Sequence, residues 1–278
     1  MPESKQFFDF DAYSPAEIAA KAESVGVTKA RMALLPMAML GLLAGGFIGL
    51  GALYYTVVVS DAGLGFAASR VLGGLVFSLG LILVIVGGAE LFTGNNMLAM
   101  AWADRKISAR EVARNWVVVY VANAVGAIGF AAVVYWSNHG AFNGGAVAQS
   151  YLKIAAAKTA LPFAEAFFKG VLCNLLVCLA VWLCMAGRSV TDKVLAIIFP
   201  ISAFVAAGFE HSVANMYFIS LGIFMSGSVD AAAGTNLATL NWSGFVSNLV
   251  PVTLGNIVGG SALVALVYHF IYRRGLRA

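Results

Sequence analysis

Two short stretches of this chain hold the side chains best able to do chemistry. The first is GGAELFTGNN from Gly87 to Asn96, with Thr93 between Glu90 and Asn95. The second is FEHSVAN from Phe209 to Asn215, with His211 between Glu210 and Asn215. Each contains Glu-x-x-x-x-Asn, 120 positions apart. Imidazole and hydroxyl both donate hydrogen bonds to an anion, and imidazole is the side chain best placed to exchange a proton near neutral pH. Glu90 and Glu210 read as structural groups, accepting from backbone freed at a break or pairing with a base. Asn95 and Asn215 belong to the same breaks. One histidine and two carboxylates on separate segments do not make a converging metal-ligand set. No metal or cofactor is expected, and a membrane enzyme or metal transporter ranks last.

What gives these residues weight is their setting, since each stretch interrupts a long apolar run. Backbone that leaves the helix at membrane depth loses its internal hydrogen bonds, and is tolerated only where it is buried in protein or lines a wet cavity. Paired breaks point to a transport site. An ionisable group in a span is costly and usually faces the pathway, which favours a functional His211. Thr93 either donates to a passing anion or to His211, or caps the helix that restarts after Gly94. Asn174, the one amide in the apolar run Val171–Leu183, either bonds a neighbouring helix or adds a polar rung to a pore. Lys158 and Lys169 bracket the start of the fourth span; they either snorkel or attract anions to the mouth. Phe77, Leu81, Leu91, Phe92 and Phe204 lie near the breaks, but periodicity does not single them out. His139, in a glycine-rich loop, and His269, near the basic terminus, carry less.

The elements that must position these groups are helices in a bilayer. The chain of 278 residues is 61% hydrophobic and 11% charged, against about 25% charged in soluble domains. Its mean hydropathy is +0.88. Six segments are long enough to cross: Met32–Val59, Phe66–Trp102 broken near Glu90, Asn115–Trp136, Phe163–Met185, Val194–Met225 broken near His211, and Phe245–Tyr272. A membrane β-barrel would show short alternating repeats, which are lacking. Gly41, Gly45 and Gly49, with Gly73 and Gly74, suit close helix packing.

Most of the 17 Lys and Arg fall on one side of these spans. Lys5, Lys21, Lys29 and Arg31 precede the first. Arg105, Lys106, Arg110 and Arg114 follow the second, Arg188 and Lys193 the fourth, and Arg273, Arg274 and Arg277 close the chain. The positive-inside rule then places both termini in the cytoplasm. A net charge of +4 distributed this way is no nucleic-acid footprint. The three cysteines, Cys173, Cys178 and Cys184, share one apolar segment and read as packing residues.

The division expected is an N-terminal amphipathic helix within residues 1–31, a six-span membrane domain over 32–272 and a basic tail over 273–278. No segment reads as a cleavable signal. Ser14 caps the N-terminal helix, Pro15 takes its first position and Glu17 completes a capping box. Phe7, Phe8, Phe10 and Tyr13 give it an apolar side, to lie on the membrane surface or against the protein. The halves also repeat: Asn123-Ala-Val-Gly126 in span three matches Asn256-Ile-Val-Gly259 in span six. Three spans per half is an odd number, so the second half inserts upside down.

The motifs are similar to those of a known family. IVGGAELFTG from Ile85 and GVLCNLLVCLA from Gly170 look like the two signature segments of the formate/nitrite transporters. FVAAGFEHSVANM from Phe204 and PVTLGNIVGG from Pro251 resemble that family's fifth and sixth spans. The resemblance runs from about Asp9 to Tyr272. It implies an all-α membrane protein, an aquaporin-like inverted repeat with helices two and five broken, assembled as a homopentamer with one pore per protomer in a bacterial-type cytoplasmic membrane. It implies transport of small monovalent anions such as formate, nitrite or hydrosulfide. By the same resemblance His211 is the central histidine, Thr93 the loop threonine, Asn174 the pore asparagine and Lys158 the vestibule lysine. Phe77 and Phe204 match the outer constriction, and Leu81, Leu91 and Phe92 the inner one. The connection Ser226–Ser243 matches nothing in the family pattern.

Two mechanisms are open. In one, His211 protonates a weak-acid anion and the neutral acid crosses. In the other, the anion passes as such and His211 polarises it. A neutral-solute channel for water, glycerol or ammonia is the competing class, but it lacks an Asn-Pro-Ala pair. The N-terminal FDAYSPAE segment and span five lean towards formate over nitrite.

Overall fold

The computed structural model describes residues 13–61 and 63–274. Lys5, Phe7, Phe8, Phe10 and Arg277 lie outside them, so the aromatic side expected for the first helix is described only at Tyr13. The N-terminal helix α1 is Pro15–Ala30. Its capping box forms as expected: Ser14 Oγ accepts from the Glu17 amide, and the Glu17 carboxylate accepts from the Ser14 amide at 2.7 Å. The helix lies against the protein, burying Ile18, Ala19 and Ala22 on Met97, Met100, Val264 and Ala265.

Six helical stretches are long and apolar enough to cross a membrane. The first is α2 (Leu34–Val59). The second is α3 (Phe66–Phe77) with α4 (Leu79–Gly87), kinked at Ser78. After a break it resumes as a 3-10 turn, Gly94–Met97, and α5 (Leu98–Ala103). The third is α6 (Ala109–Trp136). Then comes α7 (Ala146–Thr159), a helix the hydropathy reading did not anticipate. The fourth is α8 (Phe163–Ala186) and the fifth is α9 (Val190–Ala207), resumed after a break as α10 (Ser212–Met225). The sixth runs through α11 (Trp242–Ile257), a π-helical stretch Val258–Leu266, and α12 (Val267–Tyr272). The connection over residues 226–241 has no helix.

The inverted repeat is visible in the packing. In one half α2 lies on α6, and in the other α8 lies on α11. Both crossings depend on glycine. A Cβ on Gly126 would stand 2.0 Å from the Leu42 carbonyl oxygen, and one on Gly259 would stand 2.2 Å from that of Val171. Those contacts let backbones approach where lipid offers no hydrophobic drive for helices to associate.

Candidate functional site

Both broken spans stop in the same way. Helix α4 ends at Gly88, φ +82°, and α9 ends at Gly208, φ +76°. The left-handed conformation closes a helix C-terminus and is open to glycine without strain. The chain then runs non-helically through Ala89–Phe92 and Phe209–Glu210.

The freed backbone is satisfied by matching amides. Asn123 Nδ2 donates to Gly41 O at 2.7 Å and Glu90 O at 2.9 Å, while its Oδ1 accepts the Phe92 N–H at 2.9 Å. Asn256 Nδ2 donates to Gly170 O at 2.9 Å and Glu210 O at 3.0 Å, while its Oδ1 accepts the Ser212 N–H at 3.0 Å. The repeated Asn-x-x-Gly motifs are therefore the clamps for the two breaks. All these groups are buried, where an unpaired one costs about 1–3 kcal/mol.

The carboxylates follow the same symmetry. Glu90 pairs with Lys29 at 2.6 Å and accepts from Asn95 Nδ2 at 2.7 Å; Asn95 also donates to Asn115. Glu210 pairs with Lys158 at 2.9 Å and accepts from Asn215 Nδ2 at 2.6 Å; Asn215 also donates to Asn248. Lys29 is the next-to-last residue of α1 and Lys158 that of α7. So α1 and α7 are counterparts, and the repeat has a fourth element. Lys158 ends in this ion pair, which is more specific than a free charge at the mouth. Lys29, Asn115 and Asn248 carry equal structural weight, and the sequence reading did not select them. Their recurrence at similar offsets to Lys158, Asn123 and Asn256 was the available signal.

At the centre the symmetry fails. Leu91 and Thr93 stand where the other half has His211 and Val213. Thr93 Oγ1 lies 3.0 Å from His211 Nε2, both residues buried. The other ring nitrogen, Nδ1, accepts the Ala214 N–H at 3.1 Å, making His211 the N-cap of α10. That bond pattern assigns the ring proton of the neutral tautomer to Nε2. Nε2–H then donates to Thr93, leaving the threonine hydroxyl proton for another acceptor. Asn174 reaches the same loop, donating to Asn256 O at 2.7 Å, Asn96 Oδ1 at 2.8 Å and Thr93 O at 3.2 Å.

A cavity approaches this centre from each side. The first, 250 Å³, is lined by Phe77, Phe204, His211, Lys158, Lys169 and Arg70 among others. Phe77 and Phe204 meet edge to face at 5.7 Å, and Phe204 stacks on His211 at 6.0 Å. The second, 370 Å³, is lined by Leu81, Leu91, Glu90, Lys21, Lys29 and Lys193 among others. Phe92 turns towards α6. It packs on Tyr120 and Trp116 of α6, at 4.9 and 6.2 Å, and lines neither cavity. Arg70, which sequence reasoning passed over, donates to the α9 carbonyls of Val205 and Ala206 behind Phe204. Together these features set two cavities, each lined by apolar and cationic side chains, on either side of a buried hydrogen-bonded pair.

Comparison with known proteins agrees. The formate/nitrite transporter family model matches residues 16–270. The formate channel FocA of Escherichia coli K12 is 40% identical over 274 residues, covering 95% of this chain and 96% of that one. A probable formate transporter of Methanothermobacter thermautotrophicus is 40% identical, covering 93% and 97%. Among solved structures, a pentameric formate channel with formate bound is 39% identical with a TM-score of 0.78, covering 86% of this chain and 97% of that one. A second, described as an FNT family ion channel, is 31% identical with a TM-score of 0.79, covering 92% and 98%. These relatives are named as channels and transporters rather than enzymes, and by sequence, span count and fold this multi-pass membrane chain belongs to the formate/nitrite transporter family.

Proposed function

We propose that the protein conducts formate, and with it nitrite and similar small monovalent anions, through one pore in each protomer of a homopentamer. It sits in a bacterial-type cytoplasmic membrane with both termini inside. The named formate channels among its relatives support the substrate, and the pentameric structure supports the assembly. The observation that carries the pathway is the 3.0 Å contact between Thr93 and His211, the two groups borne by the two breaks.

A bare anion in an apolar neck loses hydration that is expensive to replace. The centre offsets that loss with donors already oriented. His211 Nε2–H polarises the Thr93 hydroxyl, and the hydroxyl proton is presented to the carboxylate. The start of α10 adds the positive end of a helix. Lysines and Arg70 at the mouths raise the local anion concentration.

The hydrogen bonds also bear on proton transfer. Were His211 to pass its Nε2 proton through Thr93 to formate, the ring would be left with no N–H. Replacing that proton through Nδ1 would break the cap on Ala214. Donation without transfer keeps both bonds, so formate crosses carrying its charge. The test is current through purified pentamers in a planar bilayer with unequal formate. The expected reversal potential follows the formate gradient at about 60 mV per tenfold, the ratio of 1.4 kcal/mol per decade to 2.3 kcal/mol per 100 mV. Formate uptake into liposomes without current, with one proton per formate seen by an internal pH dye, would overturn this mechanism.

A further inference from the structure

The Thr93 loop is held from behind by a second set of polar groups that the two-fold repeat does not supply. Asn96, fully buried, is its hub. Its Nδ2 donates to Phe92 O at 3.2 Å, tying the residue just before Thr93. Its Oδ1 accepts from Asn174 at 2.8 Å, tying the loop to α8. Its carbonyl accepts from Ser261 Oγ at 3.1 Å, tying the loop to the π-helical stretch. The equivalent position of the other break is Met216, whose side chain has neither of the amide's bonding groups.

Around this hub the packing leaves no slack. A Cβ on Gly260 would stand 2.4 Å from Asn174 Nδ2 and 2.9 Å from Asn96 Cβ. The π turn brings that bare backbone, with Ser261 beside it, onto the back of the loop. Such turns are rare and recur at functional sites. The Thr93 carbonyl is drawn to the same side by Asn174 Nδ2 at 3.2 Å and Cys178 Sγ at 3.4 Å. Every bond fixes the backbone on either side of Thr93, and none touches the hydroxyl. The hydroxyl is thereby left with His211 and the pathway.

We propose that Asn96 and Ser261 are positioning residues that set the Thr93 hydroxyl against His211, resting on the function assigned to that pair above. Their effect on formate flux runs through Thr93 alone.

The test is a double-mutant cycle on formate flux per reconstituted pentamer, with Asn96→Leu, Thr93→Val and the pair. Asn96→Leu keeps the side-chain size and removes its bonding atoms. It is expected to lower flux about tenfold at saturating formate with assembly intact, the scale of losing oriented buried hydrogen bonds. In a Thr93→Val background the same change is expected to cost less than twofold. Ser261→Ala, which deletes one hydroxyl, is expected to lower flux about threefold and to show the same dependence on Thr93. It carries the test if Asn96→Leu does not assemble. The proposal is overturned if these changes leave flux within twofold, or cost as much without the Thr93 hydroxyl as with it. If Thr93→Val itself leaves formate flux at the wild-type level, the assigned function fails first and this role fails with it.

Discussion

At the scale of residues, the two breaks are held by amides whose polar atoms are all bonded to backbone. Asn123 uses both hydrogens and its oxygen on backbone. Asn123→Ala would leave the Phe92 amide and the carbonyls of Gly41 and Glu90 short of a partner. The expected cost is about 3–5 kcal/mol, from three groups at roughly 1–3 kcal/mol each with some relaxation. The unfolding midpoint in detergent should fall steeply, and Asn256→Ala should match it; wild-type midpoints would remove the clamp role. Glu23 in α1 is a second supporting group. Buried, it accepts from Lys106 at 2.5 Å and from Arg273 at 3.0 Å. Breaking a buried pair costs about 3–5 kcal/mol, and the partial exposure of both cations brings the expectation to about 2 kcal/mol for Glu23→Ala. Faster proteolysis within α1 would report it. Thr93 alone in this set keeps a hydroxyl proton in hand.

At the scale of elements, helix ends and crossings set the geometry. Gly126→Ala and Gly259→Ala each push a methyl into a carbonyl oxygen, forcing α2 from α6 or α8 from the π-helical stretch that continues α11. Overpacking of this kind costs typically about 1–3 kcal/mol. Both variants should lose assembled pentamer in size-exclusion chromatography, while Gly46→Ala, with nothing within 4 Å of its new methyl, should assemble normally. Equal behaviour of all three would refute the close-packing account. Much of this level was legible in the sequence. The two Glu-x-x-x-x-Asn breaks, the Asn-x-x-Gly clamps and the capping box at Ser14 are local patterns, and local patterns survive in a string of letters. Helix α7 was not legible, because AVAQSYLKIAAAKT is too short and too polar to register as a span. Lys29 was hidden in a run of cytoplasmic charge, where membrane topology explained it too readily. Asn96 lies beside Asn95 and was overshadowed by it, since its partners sit on α8 and the π stretch, far along the chain.

At the scale of the whole molecule, the inverted repeat gives each mouth its own cations: Lys158, Lys169 and Arg70 at one, Lys21, Lys29 and Lys193 at the other. Exposed charges act over about 10 Å at 0.1 M salt. Flux at low formate should therefore fall as inert salt is raised from 0.05 to 1 M, and salt-independent flux would discount the mouths as collectors. The repeat also explains why the chemistry is confined to the middle. Two matched scaffolds hold two breaks, and the differences between the halves, His211 opposite Leu91 and Thr93 opposite Val213, create the donor pair. That pair is the central claim, and one comparison tests it most directly: formate flux through reconstituted pentamers of Thr93→Ser and Thr93→Val. If the hydroxyl polarised by His211 carries the anion, serine keeps flux within about threefold of wild type. Valine, with the same shape and no donor, lowers it by about tenfold or more. Equal flux through the serine and valine variants would contradict it.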